Sequence, residues 1–448
     1  MRTAAGAPLV GNFLSAQVPD TPLGRHAVLV SSRDPRSRVD HGRMTVLRTT
    51  VAALSESFDQ VTVFHLRPAD TDRGEGPVNA AFHHLSSARA RRAAHAVRCG
   101  LVGHHSLNEI AGIDGQQRAA MRRYLRRHPR PDLVVLDGTR AAAAIAEFEG
   151  VPALVDLDDL LSDRYRAWAD LPFDRLPFDV VGTNPSSPYN VVARRLRPLL
   201  PLVLRAEARS VAGIEQMIAE RADRVSLVSP REAATFASRT GRIVDVLPMA
   251  APRVPERPWA APAAPEFDAV FLGRTTHLTN LAALDWLGRE VLPRLGERLG
   301  RAPRVGVAGA SSPSVDAWMT ELALEPLGYV PDLQLLFAAA SCAVAPQVVG
   351  GGMNTKVLDY ATHGVPVVGT THAFAGLVAG DELDGHGIDD AGVFADRIAR
   401  LRADREMAQA FGGAARAHVD AYYRAPVVQA RWRHAFKTAI NSSEGVHA

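Results

Sequence analysis

CAVAPQVVGGGMNTKVLDYATHGVPVVG, residues 342–369, runs from an apolar segment through three consecutive glycines into a helical pattern that stops at Gly364, ahead of Pro366. CAVAP and PVVG read as short buried strands and TKVLDYATHG as the helix between them. Strand, helix and strand in that order make a βαβ unit and therefore a parallel sheet. The glycines stand where strand gives way to helix, a place that offers free backbone N–H groups and the positive helix end to an anion. Lys356 falls in the first helical turn, where a cation is unfavourable unless an anion is also present. Of 51 Lys+Arg, only residues 356 and 437 are lysine, and a compact ammonium suits a point contact with phosphate. Asp359 follows on the same helix face and can accept from two vicinal hydroxyls, as in a ribose. One reading is that Gly350–Gly352 and Lys356 hold a diphosphate and Asp359 the sugar attached to it. The spacing fits equally a tight turn carrying a surface ion pair, and the local pattern leaves both open.

The pattern repeats outward from this stretch. HAVLV (26–30), VTVFHL (61–66), LVVLDG (133–138), ALVDLD (153–158), RVSLVS (224–229), FDAVFLG (267–273) and RVGVAG (304–309) are further apolar runs separated by helical segments. Continuous apolar strands alternating with helices indicate a doubly wound α/β sheet covered on both faces. The segment 249–266 holds five prolines and no apolar period, and reads as a linker. The chain is thus expected to form two Rossmann-like domains facing a central cleft. They are an N-terminal domain over 1–248 and a C-terminal domain over 267–420, with a last helix, 421–440, free to pack back on the first.

The bulk composition narrows the functional classes. The 448 residues are 47% hydrophobic and 22% charged, with a net charge of +3, which gives no reason to expect nucleic acid as partner. The two cysteines, Cys99 and Cys342, have no metal-ligand spacing and suit a reducing compartment. The N-terminus is a poor signal peptide, and no window of about 18 residues is apolar enough to span a bilayer. These features point to a cytoplasmic protein. Ten arginines between residues 86 and 130 make either a solvated helical face or a basic patch for peripheral contact with the inner face of a membrane. The oligomeric state is not readable.

Two phosphate motifs are excluded around Lys356. A P-loop requires Gly before and Ser/Thr after its lysine, whereas Thr355 and Val357 flank this one. The dinucleotide fingerprint fails at Thr355, which stands where Gly or Ala is needed. The stretch 328–377, GYVPDLQLLFAAASCAVAPQVVGGGMNTKVLDYATHGVPVVGTTHAFAGL, instead resembles the C-terminal half of GT-B glycosyltransferases in the group around glycosyltransferase family 4. That group shows G-[FY]-V-x-D, then P…G-G-G-x-x-x-K-x-L-E-A-x-A-x-G-x-P-V-V-x-T, then G-L. The resemblance extends upstream to FLGRTTHLTN (271–280), where the group often has G-x-x-x-x-x-P-N.

The resemblance implies transfer of a sugar from a nucleoside diphosphate, GDP or UDP, to a small-molecule or lipid-linked acceptor, retaining in outcome and without a metal or other cofactor. By the same analogy, the backbone of Gly351, Gly352, Met353, Asn354 and Thr355 binds the diphosphate and Asp359 the ribose. The backbone around Tyr329, Val330 and Pro331 frames the base, and His372 faces the diphosphate. Lys356 and Arg274 stabilise the leaving group. Two departures stand out. Gly351 replaces an acid that usually contacts the donor sugar, and Thr279 stands where many members carry a lysine after Arg274, a charge that Lys356 can supply. A nucleotide-sugar binder without activity and a two-Rossmann epimerase share these features and stay open.

The N-terminal half offers Asp156-Leu157-Asp158, a literal D-x-D, followed by Asp159. Such a pair holds a divalent cation in glycosyltransferases of the other major fold. At the end of a Rossmann strand, Asp158 or Asp159 can instead act on an acceptor hydroxyl or order Arg164, or Asp159 can cap a helix. Gly42 and Arg43 follow the first strand, where Gly42 admits a ligand and Arg43 can pair with it. His41, His277 and His372 lie on loops expected near the cleft. There is no H-E-x-x-H and no G-x-S-x-G.

Overall fold

The computed structural model describes residues 22–37, 42–67, 72–87, 113–177, 197–252, 255, 258–378 and 387–444. His41 and four arginines of the Arg-rich stretch (89, 91, 92 and 98) fall outside them, and the other six lie on or just after the helix Gly115–Leu125. Backbone contacts divide the chain into two compact units. Unit 1 comprises Met1–Ser162, Ala206–Ala250 and Ala425–Ala448, and unit 2 comprises Asp163–Arg205 and Ala251–Arg424.

Unit 1 is built on strands β1 (Gly24–Ser31), β2 (Phe58–His65), β3 (Ala80–His84), β4 (Leu133–Asp137), β5 (Ala153–Asp156), β6 (Arg224–Leu227) and β7 (Val244–Val246). They lie parallel in the order β3-β2-β1-β4-β5-β6-β7. Val28, Val134, Leu136, Val155 and Val225 pack beneath Ile218 and Phe236 of the covering helices. The sheet turns back on itself between β1 and β4, the switch point at which open α/β sheets bind ligands. The last helix, Ala425–Glu444, packs on the helix Gly42–Ser57 and buries Trp432 and Phe436 in this unit. The Phe436 ring lies 6.2 Å from that of Phe58.

Unit 2 has strands β8 (Ala269–Leu272), β9 (Val305–Ala308), β10 (Glu325–Gly328), β11 (Ala343–Ala345) and β12 (Val367–Gly369). They are parallel, in the order β10-β9-β8-β11-β12, with the switch point between β8 and β11. The helix after β11, Thr355–His363, is closed by Gly364 in the left-handed region, at φ 76°.

The nine apolar runs read from the sequence are all strands. Three more strands, β3, β7 and β10, escape that reading. Each is an edge strand with a weak signal: β3 is half-exposed AAFHH, β7 is the three-residue VDV, and β10 contains Pro326. The proline-rich segment also departs from the linker expectation, because Trp259, together with backbone hydrogen bonds at Ala261, anchors it to unit 2. Trp259 is buried, its indole N–H donates to the Phe337 carbonyl at 2.8 Å, and its backbone N–H donates to the His363 carbonyl at 2.8 Å. The segment 163–205 groups with unit 2 although it precedes the end of unit 1 in sequence.

Gly412, in the helix Arg405–Tyr422, lies directly against the backbone carbonyl of Gly364, and a Cβ there would overlap it. Backbone cannot rotate out of the way, so Gly412→Ala is expected to cost about 1–3 kcal/mol and to lower the melting temperature by several degrees. Calorimetry showing an unchanged transition would mean that this helix is not seated on the Gly364 cap.

Candidate active site

The loops that follow β8, β11 and β12 meet at Gly350. Its φ is 142°, and a side chain there would reach Thr279 Cγ2 at 3.1 Å and His372 Nε2 at 3.7 Å. Gly352, at φ 68°, also needs a left-handed conformation. The glycine run is therefore a conformational requirement of the turn into Thr355–His363 and leaves open backbone beside Thr279 and His372. Tyr360 fixes that helix to both strands of the switch point. Its hydroxyl accepts from Leu272 N at 2.7 Å and donates to Val344 O at 3.3 Å.

Lys356 differs from the sequence picture of a lysine held out toward an anion. It is 7% exposed, and its ammonium lies 4.3 Å from the centre of the Phe271 ring. Nζ donates to Asn280 Oδ1 at 2.8 Å. The buried Gln347 amide, turned so that its oxygen faces the ammonium, is a second neutral acceptor. Burial pushes the Lys356 pKa down to about 7, and Asp359 opposes that shift. Among the described residues, no carboxylate forms an ion pair with Lys356. The helix thus directs the ammonium back to the β8 loop, next to Thr279, the position at which the sequence comparison found a lysine missing.

Other positive charge collects there. Arg274 is exposed on the loop after β8. His277 is pushed below its ordinary value by desolvation, then by the charges of Arg274, Arg164 and Lys356. The His277 ring keeps solvent contact, so the three like charges are the informative part of that shift. Arg164 stacks over Trp168, whose indole donates to the Thr279 hydroxyl at 3.3 Å.

The structure brings Gly350–Gly352, Lys356, Thr279, His277 and His372 together, with Arg274 on the same loop. Met353 and Asn354 lead into the helix, with Asn354 as its N-cap, and Asp359 is half-buried one turn after Lys356. Tyr329, Val330 and Pro331 lie at the same edge of the sheet, after β10, separated from the glycine loop by β9 and β8. Asn280, Gln347, Phe271 and Tyr360 were missed. Asn280 had a signal, since it closes the G-x-x-x-x-x-P-N pattern. The others show themselves only through contacts.

Unit 1 revises the reading of Arg43. Its guanidinium, at the start of Gly42–Ser57, pairs with Asp137 at the end of β4, with Asp156 at 2.9 Å and with Asp158 at 3.2 Å. An arginine already clamped by three carboxylates is not waiting for an anion. The D-x-D pair likewise faces a guanidinium. Burial raises the Asp156 pKa, Arg43 lowers it, Asp158 raises it and the Ser226 hydroxyl, donating at 2.9 Å, lowers it. Asp158 adopts φ 69°, unusual for a non-glycine residue, and is the most open of the three acids, with 35% of its side chain exposed. Asp159 is buried. A cavity of about 540 Å³ lies beside the same helix, with Arg36 stacked 4.3 Å over the Phe82 ring and Pro35, Val51 and Pro77 among its walls.

Arg43→Ala strands buried carboxylates, and is expected to destabilise unit 1 by about 3–5 kcal/mol at neutral pH. The deficit should shrink as pH falls through the carboxylate range, because Asp156, whose pKa is raised in the fold, then folds neutral. Denaturant melts at two pH values test this, and a deficit independent of pH would refute the clamp.

Residues 266–404 match the family model "Glycosyl transferases group 1". No curated protein matches the chain in sequence. Several solved structures match almost its whole length. TarM shares 10% identity at a TM-score of 0.60, covering 92% of this chain and 98% of its own. The α,α-trehalose 6-phosphate synthase of Burkholderia multivorans shares 14% at 0.55, covering 95% and 100%. The E. coli trehalose-6-phosphate protein bound with UDP-2-fluoro glucose shares 12% at 0.56, covering 93% and 98%. At these identities the structures speak for the fold, and the family model speaks for the segment that carries the glycine loop and Lys356. The chain has the GT-B fold, and its second unit carries a segment that matches the glycosyl transferases group 1 family.

Proposed function

We propose that the protein moves a sugar from a nucleoside-diphosphate donor to a small-molecule or lipid-linked acceptor, with retention and without a metal ion. The observation that carries this reading is the buried Lys356 ammonium beside the glycine loop, near Arg274 and Arg164, with neutral groups as its hydrogen-bond partners. Such a cluster calls for an anion. Two solved neighbours, an S. aureus TarM variant and the E. coli protein, are complexes with UDP and with UDP-2-fluoro glucose respectively, which makes UDP the first nucleotide to try, with GDP beside it.

In the reaction, the bond from the sugar C1 to the β-phosphate oxygen breaks and a bond from C1 to the acceptor oxygen forms. The acceptor proton passes to the departing phosphate oxygen on the same face of the sugar. Negative charge grows on the diphosphate as it leaves. Lys356, Arg274 and the backbone N–H groups at the start of Thr355–His363 are the groups that stabilise it. Asp359 holds the ribose hydroxyls. On unit 1, Asp158 is the open carboxylate, oriented by Arg43, that we assign to the acceptor hydroxyl. The apolar, arginine-edged cavity beside Val51 suits the body of such an acceptor.

A thermal-shift screen with UDP, GDP, dTDP, ADP and CDP, with and without EDTA, tests the donor. A nucleotide at about 100 times its dissociation constant adds roughly 2.7 kcal/mol and raises the melting point by a few degrees. A shift abolished by EDTA would defeat the metal-free reading, and no shift with any nucleotide would reduce the glycine loop to a turn. Asp359→Ala is expected to weaken nucleotide binding about 10–100-fold through lost charge-assisted hydrogen bonds, and calorimetry giving wild-type affinity would remove the ribose role. Lys356→Ala should lower kcat more than it raises KM, since its contact strengthens as the leaving group gains charge. Equal losses in the two would make it a phosphate anchor.

A further inference from the structure

Asn280 lies in the first turn of the helix Leu278–Trp286 and touches the supports of both cations. Its Nδ2 donates to the Arg274 carbonyl at 2.8 Å, and its Oδ1 accepts from Lys356 Nζ at 2.8 Å. These partners fix the amide orientation, because an ammonium can only donate and a carbonyl can only accept. The close approach of Asn280 to Gly273 packs its amide against the turn that leads out of β8. Around the ammonium, β8 contributes the Phe271 ring, the segment after β11 the Gln347 amide, and the lysine's own helix Asp359. Arg274, His277 and Arg164 are the other charged or titratable groups near by.

We propose that Asn280 is a positioning residue for the transfer. Its carboxamide ties the Lys356 ammonium and the Arg274 loop into one hydrogen-bonded unit, and because it is neutral it leaves the charge of both cations for the entering diphosphate. The proposal rests on the donor reading above. Aspartate would hold the same geometry but would neutralise Lys356 and repel a phosphate, whereas asparagine orients without competing. The arrangement has a consequence for protons. Lys356, with a pKa of about 7 in the unliganded protein, is half charged near neutrality, and a diphosphate favours its charged form. Donor binding then takes up a proton, and affinity falls as pH rises above about 7.

The chain has two lysines, so ¹³Cε-lysine labelling of the full protein gives two side-chain signals, assigned with Lys437→Arg. The experiment titrates both signals in wild type, Asn280→Asp and Asn280→Ala, without nucleotide and with UDP or GDP, and measures kcat and the pH profile of kcat/KM for the donor. In wild type, Lys356 is expected to titrate near neutrality and to move up by a pH unit or more with nucleotide, while Lys437 stays unmoved. Asn280→Asp should raise the Lys356 midpoint before any nucleotide is added, shift the alkaline limb of kcat/KM upward and lower kcat by about 10-fold or more. Asn280→Ala, the variant that retains a small neutral side chain should the aspartate not fold, should shift the limb to lower pH. A residue that merely stabilised the loop would lower the melting temperature and leave the limb in place.

An unmoved Lys356 midpoint and limb in both variants would overturn the proposal. A different result separates the donor reading from the contact. If the variants shift Lys356 but no nucleotide moves it in wild type, the hydrogen bond exists, the donor reading fails, and the role of Asn280 in transfer falls with it.

Discussion

A lysine buried beside an aromatic ring, with neutral amides as its hydrogen-bond partners, is the constraint around which unit 2 is arranged. Charge is costly to bury, and neutral acceptors recover part of that cost without cancelling the charge. To place such an ammonium, the helix Thr355–His363 must start beside the β8 loop. That start requires the left-handed turn at Gly352 and the close approach of Thr279 and His372 at Gly350. It also requires the helix to be held at the switch point, which Tyr360 does by bridging Leu272 and Val344. The glycines, the tyrosine and the lysine are parts of one solution to that single problem.

Unit 1 solves the converse problem at the equivalent place in its own sheet. There the acids gather, at the ends of β4 and β5, and Arg43 stands among them as their counter-ion. A planar guanidinium with several donors can serve three carboxylates at once, which an ammonium does less well. One acid, Asp158, keeps an open face in a strained conformation, and strain of this kind survives where the surroundings over-determine it. The two units thus carry opposite electrostatics at their switch points. In unit 2 the lysine has neutral hydrogen-bond partners, and in unit 1 the arginine is consumed by acids.

Much of the fold was legible because buried parallel strands are apolar without interruption. All nine runs named from the sequence are strands, and the helix read over TKVLDYATHG spans Thr355–His363 and closes at Gly364 as expected. The failures share a cause. β3, β7 and β10 are edge strands with one side unpaired, so their sequences need not be apolar throughout. Trp259 ties down a segment whose prolines hid any period. The grouping of 163–205 with unit 2 is decided by contacts between residues far apart in the chain.

The site divides the same way. By itself the sequence determined the glycine loop, the unusual lysine, the acid a turn later and the family they resemble, because backbone conformation and helix periodicity are local and leave local marks. It placed Arg43 and the D-x-D acids near strand ends, which is where they lie. Only the tertiary structure decided that Arg43 pairs with those acids, and that Lys356 turns inward to Asn280 across 76 residues of chain. Which charge neutralises which is a question of distance and burial in three dimensions. Residue type and spacing fix the candidates, and packing chooses among them.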